Sequence, residues 1–130
     1  MIKIFTLINH ILTQRQLKEL NQLYGADCKI IYPPQDIKDY WAQVPPLPIL
    51  EDNQICEITQ WLEQANKGDV LLVQGDFGAT FTIVDYALKK GLIPIQSVTK
   101  RVETEEYDGE KVFKHYIFMH ECLRKYKHWE

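Results

Sequence analysis

The segment from Asp69 to Thr80, Asp-Val-Leu-Leu-Val-Gln-Gly-Asp-Phe-Gly-Ala-Thr, limits the fold more than any other part of the chain. An apolar run, Val70 to Val73, ends abruptly in a Gly-rich turn, and an amphipathic segment follows. That order reads as strand, tight loop, helix. In open α/β sheets ligands sit outside the carboxyl ends of strands, where loop amides and a helix N-terminus hold an anion. Gly75 and Gly78 let the backbone approach a ligand with no Cβ between them.

The flanking segments repeat the alternation. Ile2 to Ile8 reads as a first strand. Thr13 is an expected N-cap with Gln16 three residues on, as in a capping box, and Gly25 ends that helix. Cys28 to Tyr32 is a second strand, closed by Pro33-Pro34, and Asp36 is placed to cap a short helix through Trp41. Val44 to Leu50, with Pro45, Pro46 and Pro48, is extended loop. A helix from Ile55 to Ala65 stops at Gly68, and one from Ala79 to Lys90 stops at Gly91. Leu92 to Val98 is another strand. Asp108-Gly109 between β-prone runs marks a hairpin over 101–119. The polar tail, 121–130, carries Tyr126 and Trp129 and has no assigned structure. The expected fold class is therefore α/β: a mainly parallel, Rossmann-like sheet with helices on both faces and a C-terminal β-hairpin, in one domain over 1–130.

The totals narrow the function. At 130 residues and 45% hydrophobic, the chain can bury a real core without disulfides. Lys+Arg 15 against Asp+Glu 18 gives a net charge of -3, which does not favour wrapping a long nucleic acid. A short anionic ligand in a local pocket is compatible with it. Cys28, Cys56 and Cys122 form no CxxC pair, which fits a reducing compartment and argues against structural zinc. The N-terminus lacks a signal peptide's basic region and cleavage site. No apolar run approaches the ~18–20 residues of a membrane span. A soluble, cytoplasmic protein with no membrane partner is expected.

Chemistry-bearing residues gather at the strand ends. Gln74 to Thr80 is the leading site; the plain alternative is a tight turn in which Asp76 or Thr80 caps the helix. It is neither a Walker loop nor GxGxxG. Thr99, Lys100 and Arg101 follow a strand, where two cations suit phosphate, or stand solvated at a turn. Asn9 and His10 follow the first strand on the same edge; His10 is a general acid/base, or a histidine bonded to the first helix. Alternation sends Lys114 and His115 to opposite faces of the hairpin. Glu103, Glu105 and Glu106 read as a solvated face, Trp41 and Trp61 as core or interface, and His120 and His128 as tail residues. The histidines are scattered without metal-ligand spacing, so no metal or cofactor is expected.

Taken together, several blocks in order carry a family resemblance: Asn9-His10 with Thr13; Tyr32-Pro33-Pro34; Trp41 with Val44-Pro45-Pro46; Gly68 to Thr80; Gly91-Leu92-Ile93-Pro94-Ile95; Thr99-Lys100-Arg101; and Phe113-Lys114-His115. The chain resembles a small stand-alone family of CRISPR-associated proteins found beside type III CRISPR systems. The likeness weakens over Leu47 to Asn53 and after Met119, and Val98 stands where that family usually has a threonine. The resemblance implies one CARF-like Rossmann domain, a homodimer, and metal-independent ring nuclease activity on a cyclic oligoadenylate.

On that reading Gly75, Phe77, Gly78, Ala79 and Thr80, with Thr99, contact phosphate or ribose, and Asn9 and Gln74 read ribose or adenine edges. Lys100 and Arg101 neutralise phosphate charge, His10 or His115 moves a proton, and Asp76 orients a 2′-hydroxyl or a cation. Three rivals use the same residues. They are a non-catalytic sponge or sensor for the same ligand, an enzyme for a mononucleotide or sugar phosphate, and an interaction module with the hairpin as interface.

Overall fold

The computed structural model describes residues 1–129. In chain order the elements are β1 (Lys3–Leu7), α1 (Gln14–Tyr24), β2 (Lys29–Ile31), α2 (Gln35–Ala42), α3 (Asp52–Leu62), β3 (Val70–Val73), α4 (Phe77–Lys90), β4 (Ile93–Asp108) and β5 (Lys111–Lys125). The strands form one sheet ordered β2-β1-β3-β4-β5. Neighbours from β2 to β4 are parallel, and β4–β5 is antiparallel. The fold is thus mixed α/β, as the alternation implied.

Strand periodicity divides the core in two. Phe5, Leu7, Leu71 and Val73 face α2, α3 and α4, where Trp41, Ile58, Leu62 and Ile83 pack on them. Ile4, Val70, Leu72 and Ile95 face α1, with Leu20 and Leu12. Helices therefore cover both faces, and all of Val70 to Val73 is fully buried. Each such side chain contributes roughly 1.5–3 kcal/mol of transfer free energy.

Local signals hold where the chemistry is local. Thr13 and Gln16 form the reciprocal capping box that opens α1. Gly91 closes α4 in the left-handed region at φ 86°. Asp36 is a correction: it lies inside the first turn of α2, its Oδ1 accepting from the Ile37 N–H, and Pro34 holds the cap position. Helix α3 stops at Leu62, before Ala65.

The largest departure is at the C-terminal end. β4 does not stop at Val98. It runs to Asp108, paired with β5 from Ile95↔Lys125 to Asp108↔Lys111, so the hairpin exceeds 101–119 at both ends. The turn residues are Gly109 and Glu110, one step later than Asp108-Gly109. Gly109 alone has positive φ, at 63°, the pattern of a type II′ turn. Residues 121–125, expected as tail, are strand; Glu130 lies outside the described residues. Because β3 pairs with β4 only as far as Ile95, the hairpin beyond Ser97 leaves the sheet as a two-stranded ribbon. At ~3.3 Å per residue it projects about 36 Å past the carboxyl edge. Among the described residues no helix is long and apolar enough to cross a membrane.

Candidate functional site

The strand order reverses between β1 and β3: the chain steps from β1 outward to β2, then back across to β3. That switch point is where α/β sheets open a crevice at their carboxyl edge. Here the crevice is a cleft of about 840 Å³. Asn9, His10, Gln74 and Gly75 line it from the strand ends, Phe77, Thr80 and Phe81 from α4, and the tail from Tyr126 onward from the far side.

The loop after β3 is shaped by Trp41, which is 2% exposed. Its indole Nε1–H donates to the Gln74 carbonyl at 2.8 Å. A Cβ on Gly75 would lie 2.6 Å from that same nitrogen. A side chain at 75 is thus excluded by the tryptophan behind the loop. A Cβ on Gly78 would make only ordinary van der Waals contacts, with Asp76 Oδ2 at 3.6 Å and Leu50 Cδ1 at 3.9 Å.

Asp76 caps α4, its Oδ2 accepting from the Ala79 N–H at 3.0 Å. The capping alternative is therefore realised. It commits one carboxylate oxygen, and it removes the fully buried Ala79 as an amide donor to a ligand. Phe77 and Gly78 keep N–H groups with no partner among the described residues, as the first turn of a helix does. Gln74 is half committed as well: its Oε1 accepts from the Ser97 N–H at 2.7 Å, bridging β3 to β4. Thr80 Oγ1 is withdrawn from solvent and has no partner among the described residues. An unsatisfied hydroxyl costs about 1–3 kcal/mol, so a ligand atom that satisfies it gains that much. We expect Thr80→Val to melt at the wild-type temperature or slightly above, while affinity for an anionic ligand that reaches this hydroxyl, measured by calorimetry, falls about tenfold. Unchanged affinity would remove Thr80 from the site.

His10 is exposed at the cleft margin. Its Nδ1 lies 2.9 Å from the Ile11 carbonyl, which only accepts, so Nδ1–H donates and Nε2 is free in the neutral ring. On its other side His10 borders a second cavity of about 270 Å³, with Tyr32 and Lys38. Lys38, whose ammonium is 5.8 Å from the Tyr32 ring, is a cation near the site that no sequence signal marked.

The ribbon separates the other candidates from the cleft. Thr99, Lys100 and Arg101 are strand residues past the edge of β3, not loop residues beside Gly75. Lys100 stands four residues beyond Gln96, about 13 Å along the strand. Alternation turns Lys100 and Arg101 to opposite faces, and Arg101 packs on the Tyr116 ring, 4.8 Å from its centre. His115 is opposite Thr104, about 26 Å past Gln96, and contacts Glu106 at 3.2 Å. Lys114 points the other way, to Glu103 at 3.3 Å, as alternation required. So Asn9, His10, Gln74, Gly75, Phe77 and Thr80 come together in one cleft. Lys100, Arg101, Thr99 and His115 do not join them within one chain.

Sequence reasoning missed the far wall. Tyr126 N–H donates to the Pro94 carbonyl and its hydroxyl to Val73 O at 2.9 Å, which ties the chain after β5 across the end of β3. Burial pushes the Tyr126 hydroxyl above its ordinary value, against a smaller opposing effect of Arg124. Lys127, His128 and Trp129 then line the cleft. Two aromatics in an otherwise polar tail were the available signal. Phe77 is 94% exposed and Trp129 98%, so apolar rings flank the opening.

Residues 2–124 match the family model described as "Uncharacterized protein MJ1673 family". The chain belongs to the MJ1673 family. "Uncharacterized protein MJ1673" of Methanocaldococcus jannaschii is 38% identical over 127 residues, which cover 97% of this chain and 98% of that one. No solved structure matches. The residues matched by the family model, 2–124, include the loop after β3, Asn9-His10 and the ribbon.

Proposed function

We propose that this protein is a ring nuclease. It binds a cyclic oligoadenylate, taken as cyclic tetra-adenylate, in the β1/β3 cleft. It opens the ring to linear products ending in a 2′,3′-cyclic phosphate, and so switches off type III CRISPR antiviral signalling in the cytoplasm. The accompanying fold reading is a Rossmann-like, CARF-like domain working as a homodimer. The observation that carries the proposal is the cleft itself. It has nucleotide-sized volume at the strand-order reversal, free amides at the start of α4, an unpartnered Thr80 hydroxyl, and exposed rings at its lips. Amides and hydroxyl suit phosphate and ribose; exposed Phe77, Phe81 and Trp129 suit purine faces, since base–aromatic stacking supplies about 1–3 kcal/mol per base.

The chemistry requires few groups. A ribose 2′-hydroxyl attacks the adjacent phosphorus, the bond from phosphorus to the 5′-oxygen breaks, and the 2′,3′-cyclic phosphate forms. The 2′-proton leaves as the 5′-oxygen gains one. His10, with Nε2 unengaged, is placed to move that proton. The remainder is alignment of nucleophile and leaving group in line, and stabilisation of phosphoryl charge.

A sponge that holds the ring uncut is the second reading. One observation favours it: of His10, Asp76, Lys100, Arg101 and His115, only His10 lines the cleft of a single chain. Radiolabelled cyclic tetra-adenylate incubated with the protein and a chelator separates the readings. We expect linear cyclic-phosphate products. Intact ring recovered at one equivalent per site would establish the sponge. Turnover that disappears with chelation would reject the metal-free route, and no binding would reject both readings.

A further inference from the structure

In-line displacement sets a demand that one histidine cannot meet. The attacking 2′-oxygen and the departing 5′-oxygen lie on opposite sides of phosphorus. The group that takes a proton and the group that gives one must therefore come from opposite walls. His10 stands on the wall made by the end of β1. The far wall is the chain after β5, and it carries Lys127 and His128. Among the described residues, His10 and His128 are the histidines that line the cleft, and Lys127 is its one lysine or arginine.

The far wall is anchored at its first residue. Tyr126 donates its N–H to the Pro94 carbonyl and its hydroxyl to the Val73 carbonyl, each at 2.9 Å. Those two bonds seat the next two residues, Lys127 and His128, beside the carboxyl ends of β3 and β4. The acidic group on the cleft is Asp85 of α4, and it pairs with Lys89 at 2.8 Å. Lys127 thus brings positive charge to a cleft whose one carboxylate already has a cation of its own.

We propose that His128 is the general acid of this cleft, facing His10 as the base, and that Lys127 holds charge on the phosphoryl oxygens. The substrate class is a phosphodiester beside a ribose 2′-hydroxyl. His10 gives its Nδ1–H to the Ile11 carbonyl, which leaves Nε2 to accept the 2′-proton. The bond from the 2′-oxygen to phosphorus forms, and the bond from phosphorus to the 5′-oxygen breaks. The imidazolium of His128 gives its proton to the departing 5′-oxygen, and exchange with water returns both rings to their starting states. This proton step rests on the nuclease reading; the seating of a phosphate between the two rings does not.

Turnover of cyclic tetra-adenylate by the full chain, with a chelator present, is followed between about pH 5 and 8. The wild-type kcat should trace a bell, rising as His10 loses its proton and falling as His128 loses its own. His128→Ala should lower kcat at least about a hundredfold and lose the alkaline fall, while melting as the wild type does, since the side chain is exposed. Lys127→Ala should lower kcat about a hundredfold and keep the bell. The same ring with sulfur in place of each bridging 5′-oxygen isolates the acid, because a thiolate departs without a proton. His128→Ala should cut that ring nearly as fast as the wild type, and His10→Ala should remain slow. Full turnover of the ordinary ring by His128→Ala, or no rescue by sulfur, overturns the role of His128 and leaves the nuclease reading standing. Imidazole proton resonances read the placement without turnover. Adenosine 3′-monophosphate should shift His10 and His128, and leave buried His120 and ribbon His115 unmoved. A silent His128 overturns the proposal. Both shifts with a ring left whole by the wild type would sink the nuclease reading and its proton step, and keep the phosphate seat between the two rings.

Discussion

Replacing Trp41 with alanine is expected to lower the unfolding free energy by about 3–5 kcal/mol and to abolish the proposed nucleotide binding. Trp41 is among the largest fully buried side chains, packed with Phe5, Leu71 and Ile58 between α2 and the sheet. Its removal leaves a cavity and takes away the donor to the Gln74 carbonyl. At 130 residues each kcal/mol corresponds to about 3–5 °C, so the melting temperature should fall by roughly 10–20 °C. The functional consequence follows from the same contact: without the indole, the Gly75 loop loses the wall that sets its path. Trp41→Phe separates the two effects. It refills most of the volume but cannot donate, and should cost about 1–2 kcal/mol. Thermal melts with calorimetric titration check both. Wild-type affinity in Trp41→Ala would show that the indole does not shape the site.

The second large effect lies on the other face of the sheet. His120→Leu should cost about 2–4 kcal/mol, because it opens a polar network that ties the root of the ribbon to α1. His120 is 8% exposed and Ser97 5%. In the neutral ring Nε2–H donates to Glu19 Oε1 at 2.7 Å, and Nδ1 accepts from the Ser97 hydroxyl. Ser97 Oγ accepts in turn from Gln16 Nε2 at 3.1 Å, and Glu19 Oε2 accepts from the Leu123 N–H at 2.7 Å. The Glu19 side chain keeps 24% of its surface in water, so the cost stays below that of a fully buried pair. Burial raises the Glu19 pKa, but the Leu123 amide, His120 and Arg15 outweigh it and hold the carboxyl below its ordinary 4.5. A carboxyl lowered on folding stabilises fully above its unfolded value. That stabilisation fades as pH falls through 4.5 and then through the folded value. Urea unfolding followed from neutral pH downward should show this decline in the wild type and a flatter one in Glu19→Gln. Parallel curves would mean that Glu19 contributes nothing to acid sensitivity.

His120 also marks how sequence and structure divide. As one histidine in a polar tail it has no local signature. Its role depends on Glu19, 101 residues away, and on Ser97, 23 away, and no periodicity links such positions. Lys100 and Arg101 fail for a related reason. Val98 looks like the end of a strand because the apolar alternation weakens there. The strand continues because β5 supplies its hydrogen bonds up to Asp108, a pairing set by register and not by composition. Gly75 reads as a glycine kept clear for a ligand; that a side chain there would also meet Trp41, 34 residues earlier in the chain, has no local signal.

What the amino-acid order determined unaided is short-range. The apolar run Val70–Val73 makes a strand buried on both faces, Thr13 with Gln16 opens a helix, Gly91 closes one, and a glycine turn after β3 places a site at the carboxyl edge. Each follows from steric and hydrogen-bonding preferences that act within about one turn or one loop. Which side chains line that cleft, and which ride out on the ribbon, was decided only when distant segments packed. Burial of Trp41 behind the loop, the Tyr126 hydroxyl on Val73 and the β4–β5 register are contacts between segments far apart in sequence, and their free energy exists only in the assembled fold.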